Sequence, residues 1–554
     1  MNQSQRIEFR IGGMTCPDCR QHVVHALQAV PGVYQVDVPG WQSARATVTA
    51  DEGVDLKALV AAVEAAGYTA TVQSQHPSAS IEGKPAGHDA GYDLLVIGGG
   101  SGGFAAAIAA SDLGARVAMI NAGTIGGTCV NVGCIPSKTL VRAAGAWHAA
   151  GHHPFLGAQT EQVKLDWPML RAQKDELVAH LRQGKYVDVL AAYPDITFIE
   201  GHATFQADGT VRVGEKSYTA RRYVIATGAQ PRMLPLPGLE DAQPLNSTTL
   251  MDLQQLPRSL IVLGGRAIAL ELGQAMSRLG VEVLILQRSA RLIPDHEPEV
   301  GRAIQDYLEH DGLGVLTGVQ VIRLSRESEE RVVHVRVMGQ TRVYRAEQVL
   351  MALGRQPNTR NLGLEHVGVR LDENGAIAVN EYLQTSSPTI YATGDVTTNP
   401  EFVYVAAMGG ALAARNALGD HQQVLDLSAM PAVIFTDPQV ASVGLTEAKA
   451  RSQGYPTKTS MIGLEHVPRA QAAHDTRGLI KLVADASNGR LLGAHILAAE
   501  AGEVIQTATL AVKFGLSIDD LTGTLFPYLT QVEGLKLAAQ AFSRDVTKLS
   551  CCAA

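Results

Sequence analysis

The sequence predicts a multidomain protein of mixed α/β and α+β class, and three observations carry that expectation. At 554 residues the chain is too long for one core and divides into roughly three to four domains. Residues 6–73 carry strand and helix signals in the order strand, helix, strand, strand, helix, strand, a ferredoxin-like α+β arrangement. Two later stretches, opening at Tyr92 and at Ser259, each read strand, glycine-rich turn, helix, strand, the Rossmann-like α/β signature of a dinucleotide-binding domain.

In the first domain, RIEFRI, VYQVDV and ARATVTA alternate as half-buried strands, and YTATVQ closes the unit. CRQHVVHALQAV and LKALVAAVEAAG have helical periodicity, ending at Pro31-Gly32 and at Gly67. Cys16 and Cys19 lie in the loop entering the first helix, in Gly-Met-Thr-Cys-Pro-Asp-Cys. Two sulfurs at that spacing can hold one soft cation, and a helix N-terminus favours them as thiolates. A thioredoxin-like redox pair is the competing reading, but it belongs to a longer fold with another element order. The loop and its domain resemble the heavy-metal-associated domains of copper chaperones and metal ATPases. His22 and His25 on the same helix are expected to be surface residues. Residues 74–91, rich in Gly, Pro and Ser, read as a flexible linker.

Composition narrows the function classes. Lys and Arg number 46 against 54 acids and form no basic block, so no nucleic-acid partner is expected. The N-terminus, MNQSQRIEF, lacks a signal-peptide pattern, which points to the cytoplasm. The uncharged stretch from Leu94 to Ser111 is dense in glycine and fits a nucleotide-binding turn better than a membrane span.

The turn after Tyr92 contains Gly98, Gly100 and Gly103, which let backbone approach a pyrophosphate at a helix N-terminus. Asn121 ends the next strand where an acid usually binds ribose, so one contact is expected to weaken. The second turn reads Gly264-Gly265-Arg266-Ala267-Ile268-Ala269, with Arg266 in the place of the second glycine. Its second strand ends at Gln287-Arg288, followed by Arg291 and no carboxylate. Arg288 and Arg291 suit a 2′-phosphate, so NADPH is preferred over NADH. Two dinucleotide folds in one chain point to a flavoenzyme drawing hydride from a nicotinamide.

All six cysteines occur in close pairs: Cys16 with Cys19, Cys129 with Cys134, and Cys551 with Cys552. A chain this long with so few cysteines is no disulfide scaffold, so thiol chemistry is the theme. Gly-Gly-Thr-Cys-Val-Asn-Val-Gly-Cys-Ile-Pro-Ser-Lys, residues 126–138, places Cys129 and Cys134 where a helix opens, which permits a reversible disulfide against a flavin.

That string, with Ala226-Thr227-Gly228 and Ile390-Tyr391-Ala392-Thr393-Gly394-Asp395, resembles the pyridine nucleotide-disulfide oxidoreductase family. The resemblance implies an FAD-binding domain at 92–245 and 351–425, an NADPH-binding domain at 246–350, and an α+β dimerisation domain at 426–554. It also implies that Gly127, Thr128, Lys138, Thr227, Gly228 and Asp395 contact FAD, while Gly264, Arg288 and Arg291 contact NADPH. Cys134 would be the proximal thiol and Cys129 the outer, interchange thiol. Lys138 would pair with Glu271 beside the flavin, and electrons would pass from NADPH through FAD to the disulfide.

Disulfide-reducing members of that family carry His-Pro-Thr-x-x-Glu in the last domain, a proton shuttle for the leaving thiol. Here Tyr528 replaces the histidine while Thr530 and Glu533 keep their places. A phenol, with a pKa near ~10, shuttles protons poorly at neutral pH. With the tail Ser550-Cys551-Cys552 and the metal-binding first domain, the chain resembles the mercury(II)-reducing branch of the family. Mercury(II) would then pass as a substrate from thiol carriers, a mercury transporter or Cys16/Cys19 to Cys551/Cys552 and on to Cys129/Cys134. The product would be elemental mercury, in the service of mercury detoxification. The resemblance further implies a homodimer in which the tail and Tyr528 serve the other subunit's flavin site. Two alternatives stand beside it: an NADPH-dependent reductase of a small disulfide, and a non-catalytic soft-metal binder. Met408 and Met461 are expected to fill core gaps.

Overall fold

The computed structural model describes residues 4–14, 17–38, 44–51, 53–77, 91–155, 157, 164–419, 422–545 and 548. They divide into two units, Met1–Asp89 and Ala90–Ala554. In the small unit, strands Ser4–Gly12, Val33–Asp37, Arg45–Asp51 and Thr69–Pro77 form one antiparallel sheet, with Ser4–Gly12 and Arg45–Asp51 central. The last strand thus runs beyond residue 73, where the sequence pattern ended it. Alternation puts Ile7, Phe9 and Ile11 on the buried face, against Val23 and Leu27 of helix Pro17–Gln28 and Leu59 and Val63 of helix Leu56–Ala65. Asp55 caps the second helix by accepting from the Lys57 N–H at 2.9 Å. His22 and His25 are exposed, and His22 Nδ1 lies 3.2 Å from the Tyr68 hydroxyl.

The large unit begins with a five-stranded parallel sheet in the order Ile390–Ala392, Ala220–Ile225, Tyr92–Ile97, Val117–Asn121, Ile196–Glu200. Its central strand reads Leu94-Leu95-Val96-Ile97, all buried, because both faces are covered. Helix Ser101–Asp112 on one face packs against helix Val403–Leu418, at a distance only glycines allow. A β-carbon at Gly410 would stand 2.0 Å from the Gly102 carbonyl oxygen. Met408, on the opposite side of that helix, is 61% exposed, and Met461, on edge strand Thr457–Gly463, is 52% exposed. Neither fills a core gap, since the described residues leave each largely exposed.

Between the two parts of this sheet the chain builds a second one, whose parallel strands run in the order Gly314–Leu316, Glu282–Leu286, Ser259–Leu263, Gln348–Met351. The two turns repeat one construction. Gly98 N donates to Ile120 O at 2.8 Å and Gly264 N to Leu286 O at 3.0 Å. A β-carbon on Gly98 would meet Ala226 O at 2.2 Å, and one on Gly264 would meet Ala352 O at 2.3 Å. The turns differ at the third glycine position. Gly103 has no room, with Gly98 O 1.8 Å from where its β-carbon would be, whereas Ala269 occupies the matching place in a wider turn.

The final domain is an antiparallel sheet in the order Pro431–Ile434, Gln439–Gly444, Leu491–Ala498, Leu479–Asp485, Thr457–Gly463, covered by helix Ala501–Phe514 and helix Glu533–Gln540. Lys481 joins it to the second nucleotide domain, with Nζ 2.9 Å from Glu297, 3.1 Å from Glu299 and 2.9 Å from Glu447. Burial works against the Lys481 charge, but these carboxylates outweigh it and hold its pKa above the ordinary lysine value. No helix among the described residues is long and apolar enough to cross a membrane.

Gly410→Ala is expected to cost about 1–3 kcal/mol, the usual range for overpacking a close helix contact. A lowered unfolding midpoint for the 92–245 and 351–425 domain, followed by denaturant titration, checks this.

Candidate active site

The paired cysteines sit on a loop pressed against the first nucleotide turn. Gly126 and Gly127 both take the left-handed conformation, at φ 98° and 65°, and a β-carbon on Gly127 would lie 2.6 Å from Gly100 Cα. Helix Gly127–Val132 carries Cys129, Gly133 breaks it, and helix Cys134–Gly151 opens on Cys134. Asn131, between the two cysteines in sequence, donates to Ile125 O and Gly127 O, each at 2.9 Å. Its own carbonyl accepts from Arg182 Nη1 at 3.0 Å. The loop is therefore held by side-chain hydrogen bonds as well as by backbone.

The two sulfurs are electrostatically unequal. Hydrogen bonding from Cys129 brings the Cys134 pKa down to about 7, against burial, and the Lys138 charge adds to the effect. Donating that hydrogen bond, together with burial, pushes Cys129 up. Cys134 is thus the sulfur of the pair that gives up its proton more readily.

Lys138, one turn into the same helix, donates to Glu271 Oε2 and lies 4.8 Å from the Phe435 ring centroid. Glu271, 5% exposed, accepts the Phe435 N–H on its other oxygen at 2.9 Å. One carboxylate therefore joins the cysteine helix, the second nucleotide domain and the last domain.

The first nucleotide domain presents a coherent cradle. Gly98, Gly100 and Gly103 bring the turn close, and Thr128 Oγ1 lies 3.5 Å from Arg355 Nη2. Thr227 Oγ1 donates to Asn358 O at 2.8 Å, and Asn358 N donates to Gly228 O at 2.9 Å, which fixes that crossing. Burial raises the pKa of Asp395 in spite of Arg355, whose Nε is 3.5 Å away and makes no hydrogen bond among the described residues. A half-buried carboxylate beside a guanidinium whose Nε lacks a hydrogen-bond partner suits a ligand carrying hydroxyls and phosphates, which is the chemistry of FAD. Asn121 does not offer a carboxylate to ribose; its Oδ1 instead accepts the Gly99 N–H at 3.0 Å.

In the second domain Arg288 is exposed beyond the strand end. Arg291, expected at a 2′-phosphate, also serves its own loop: Nη2 donates to Pro294 O at 2.5 Å and His296 O at 3.3 Å. The reason is local, since the following loop needs those carbonyls satisfied.

Tyr528 is 54% exposed on the segment before helix Glu533–Gln540, where Glu533 Oε2 accepts the Leu529 N–H at 3.2 Å. Thr530 Oγ1 donates to Pro527 O at 2.7 Å. Cys19 is buried in the first turn of its helix, while Cys16, Cys551 and Cys552 lie outside the described residues.

Three residues near the pair are not singled out by the sequence reading. Tyr186 sits on a π-helical turn, Gln183–Val187, with its hydroxyl 3.2 Å from Ser101 Oγ. Burial raises its pKa, and the charges on Cys129 and Cys134 add to that. Gly184, inside a helical pattern, was the available hint. Arg355 follows a strand in Gly354-Arg355-Gln356-Pro357 and looks like an ordinary turn, and Phe435 acts through backbone N–H.

Two nucleotide-binding domains, a dithiol and a lysine–carboxylate pair between them define a nicotinamide-linked dithiol flavoprotein. The pyridine nucleotide-disulphide oxidoreductase profile matches residues 92–410, and that family's dimerisation domain matches 430–539. The chain belongs to the pyridine nucleotide-disulphide oxidoreductase family, whose cofactors here are FAD and NADPH. Residues 8–69 match the heavy-metal-associated domain. The chain is similar to the mercuric reductase of Staphylococcus aureus, 45% identical over 98% of each chain. It is also similar to that of Streptomyces lividans, 47% identical over 84% of this chain and 98% of that one. Among solved structures it resembles the HOCl-induced flavoprotein disulfide reductase RclA from Escherichia coli, at TM-score 0.73 and 30% identity, covering 81% of this chain and 99% of that one.

Lys138→Met removes the cation that favours the Cys134 thiolate. The titration of the reduced protein, followed by thiolate absorbance or alkylation rate, is expected to move up from about 7 by about one pH unit or more. Glu271→Ala leaves Lys138 and the Phe435 N–H without their acceptor, a loss of about 3–5 kcal/mol by the usual cost of breaking a buried pair. Chemical denaturation of the variant measures it.

Proposed function

We propose that this chain reduces mercury(II) to elemental mercury with NADPH: NADPH + Hg²⁺ → NADP⁺ + H⁺ + Hg⁰. The observation that carries the reading is Tyr528, a phenol at the position of the disulfide reductases' proton shuttle, in a chain whose dithiol Cys129/Cys134 is intact. The full-length similarity to proteins named mercuric reductase supports it, and so does the heavy-metal-associated domain.

Bound FAD supplies two-electron exchange between nicotinamide and acceptor. Gly98, Gly100, Gly103, Gly127 and Thr128 would hold its phosphates, and Asp395, Thr227 and Gly228 its hydroxyl-bearing chain. Gly264 and Arg288 would hold NADPH. Cys134 and Cys129 bind mercury(II), which favours two sulfurs, Cys134 losing its proton the more readily and Cys129 losing its own on ligation. Lys138, fixed by Glu271, keeps positive charge beside the Cys134 sulfur. Tyr186 and Tyr528 line the metal's route without transferring a proton.

The relay Cys16/Cys19, Cys551/Cys552, Cys129/Cys134 moves the ion by exchange of one thiolate at a time, so it is never released to water. Thiol carriers or a transporter donate mercury(II) to it in the cytoplasm. In this reading the protein is a homodimer, and the tail and Tyr528 act at the partner subunit's pair.

The test is NADPH oxidation by the purified protein with mercury(II) and excess thiol, with elemental vapour trapped. Vapour in step with NADPH is the expected result, and consumption without vapour, or turnover of glutathione disulfide instead, overturns the reading. Cys551→Ala/Cys552→Ala is expected to slow vapour release roughly tenfold or more, since delivery loses its intramolecular step.

A further inference from the structure

The loop after the second nucleotide turn folds back onto that turn. Ile293 N donates to Gly265 O at 2.9 Å, and Ile293 itself is buried at φ 38°, a left-handed conformation that a β-branched residue takes only when its surroundings impose it. Arg291 clamps the next residues through the carbonyls of Pro294 and His296. Between those two carbonyls stands Asp295, which forms an ion pair with Arg266.

Arg266 caps helix Ala267–Arg278, where the backbone N–H groups and the helix dipole collect a dinucleotide's phosphates. At the matching position in the first turn, Gly100, a β-carbon would stand in ordinary contact, 3.6 Å from Gly127 Cα of the redox loop. In the second turn the Arg266 side chain runs outward into solvent, where the returning loop meets it through Asp295. The side chains of Arg266 and Asp295 are 62% and 57% exposed. An ion pair that open to water is weak and readily exchanged. A phosphate offers the guanidinium the same fork with more charge.

We propose that Arg266 and Asp295 form a latch on the nicotinamide-dinucleotide crevice: Asp295 occupies Arg266 in the free protein, and the cofactor's phosphates displace it. Asp295 thereby lowers affinity for NADP(H), and Arg266 is a phosphate-binding specificity residue. The strained Ile293 turn is what carries Asp295 back to the arginine. This rests on the assignment of the second domain to NADPH.

Calorimetric titration of the full-length, FAD-loaded protein with NADP⁺ tests it without turnover. Arg266→Ala is expected to weaken binding about tenfold, the usual loss for one hydrogen-bonded charge. Asp295→Asn is expected to tighten binding several-fold, and the double variant should bind like Arg266→Ala alone, because Asp295 then has nothing to withhold. The latch is overturned if Asp295→Asn leaves affinity unchanged, if its gain persists without Arg266, or if Arg266→Ala binds as well as the parent. Failure of the parent to bind NADP⁺ at all would instead remove the cofactor assignment, and the latch with it. Near-ultraviolet dichroism confirms that each variant keeps its fold.

Discussion

A single buried carboxylate sets the geometry on which the rest of the large unit depends. Glu271 takes a lysine ammonium on one oxygen and a backbone N–H on the other, so both of its acceptor sites are filled from different domains. Neither donor could be removed cheaply, because a carboxylate at that depth must be compensated. The cysteine-bearing helix, the second nucleotide domain and the edge of the final sheet are thereby held in one relation.

Around that point the domain contacts are polar and specific. Arg278 reaches Asp311 at 3.2 Å and Asp437 at 2.8 Å, and Gln274 exchanges hydrogen bonds with the backbone of Asp437 at 2.8 Å each way. Lys481 does the same work further along the interface. Such contacts carry directional information that an apolar seam lacks, which suits a site whose reacting groups come from separate domains. Part of the charge asymmetry of the two sulfurs follows from this rigidity, since Lys138, held near Cys134, adds to the hydrogen bond from Cys129.

The features legible in the sequence were those in which one residue type is needed for a steric or chemical reason. Gly98, Gly264 and Gly127 stand where a β-carbon would strike backbone, and Cys129 and Cys134 have no chemical substitute. The parallel sheets were readable because buried strands such as Leu94–Ile97 are apolar throughout. What escaped was set by tertiary partners. Arg291 has the right type and place for a phosphate and in addition holds its own loop, which its sequence position does not announce, and Phe435 contributes a main-chain N–H that no side chain announces. Tyr186 depends on a register change inside a helix, and Met408 follows its helix outward although its neighbours in sequence are apolar.

The order of strands in the first parallel sheet bears on how the chain is made. Strand Ile390–Ala392 and covering helix Val403–Leu418 lie beyond the whole inserted domain, whose own sheet uses Ser259–Met351. During synthesis from the N-terminus, the inserted domain has all its strands first. The domain that starts earlier waits with an uncovered apolar face until the later segments emerge. Nascent chains stalled before Ile390 therefore expose that face to chaperones or to one another, and the flavin-binding half is the last of the two to become protease-resistant.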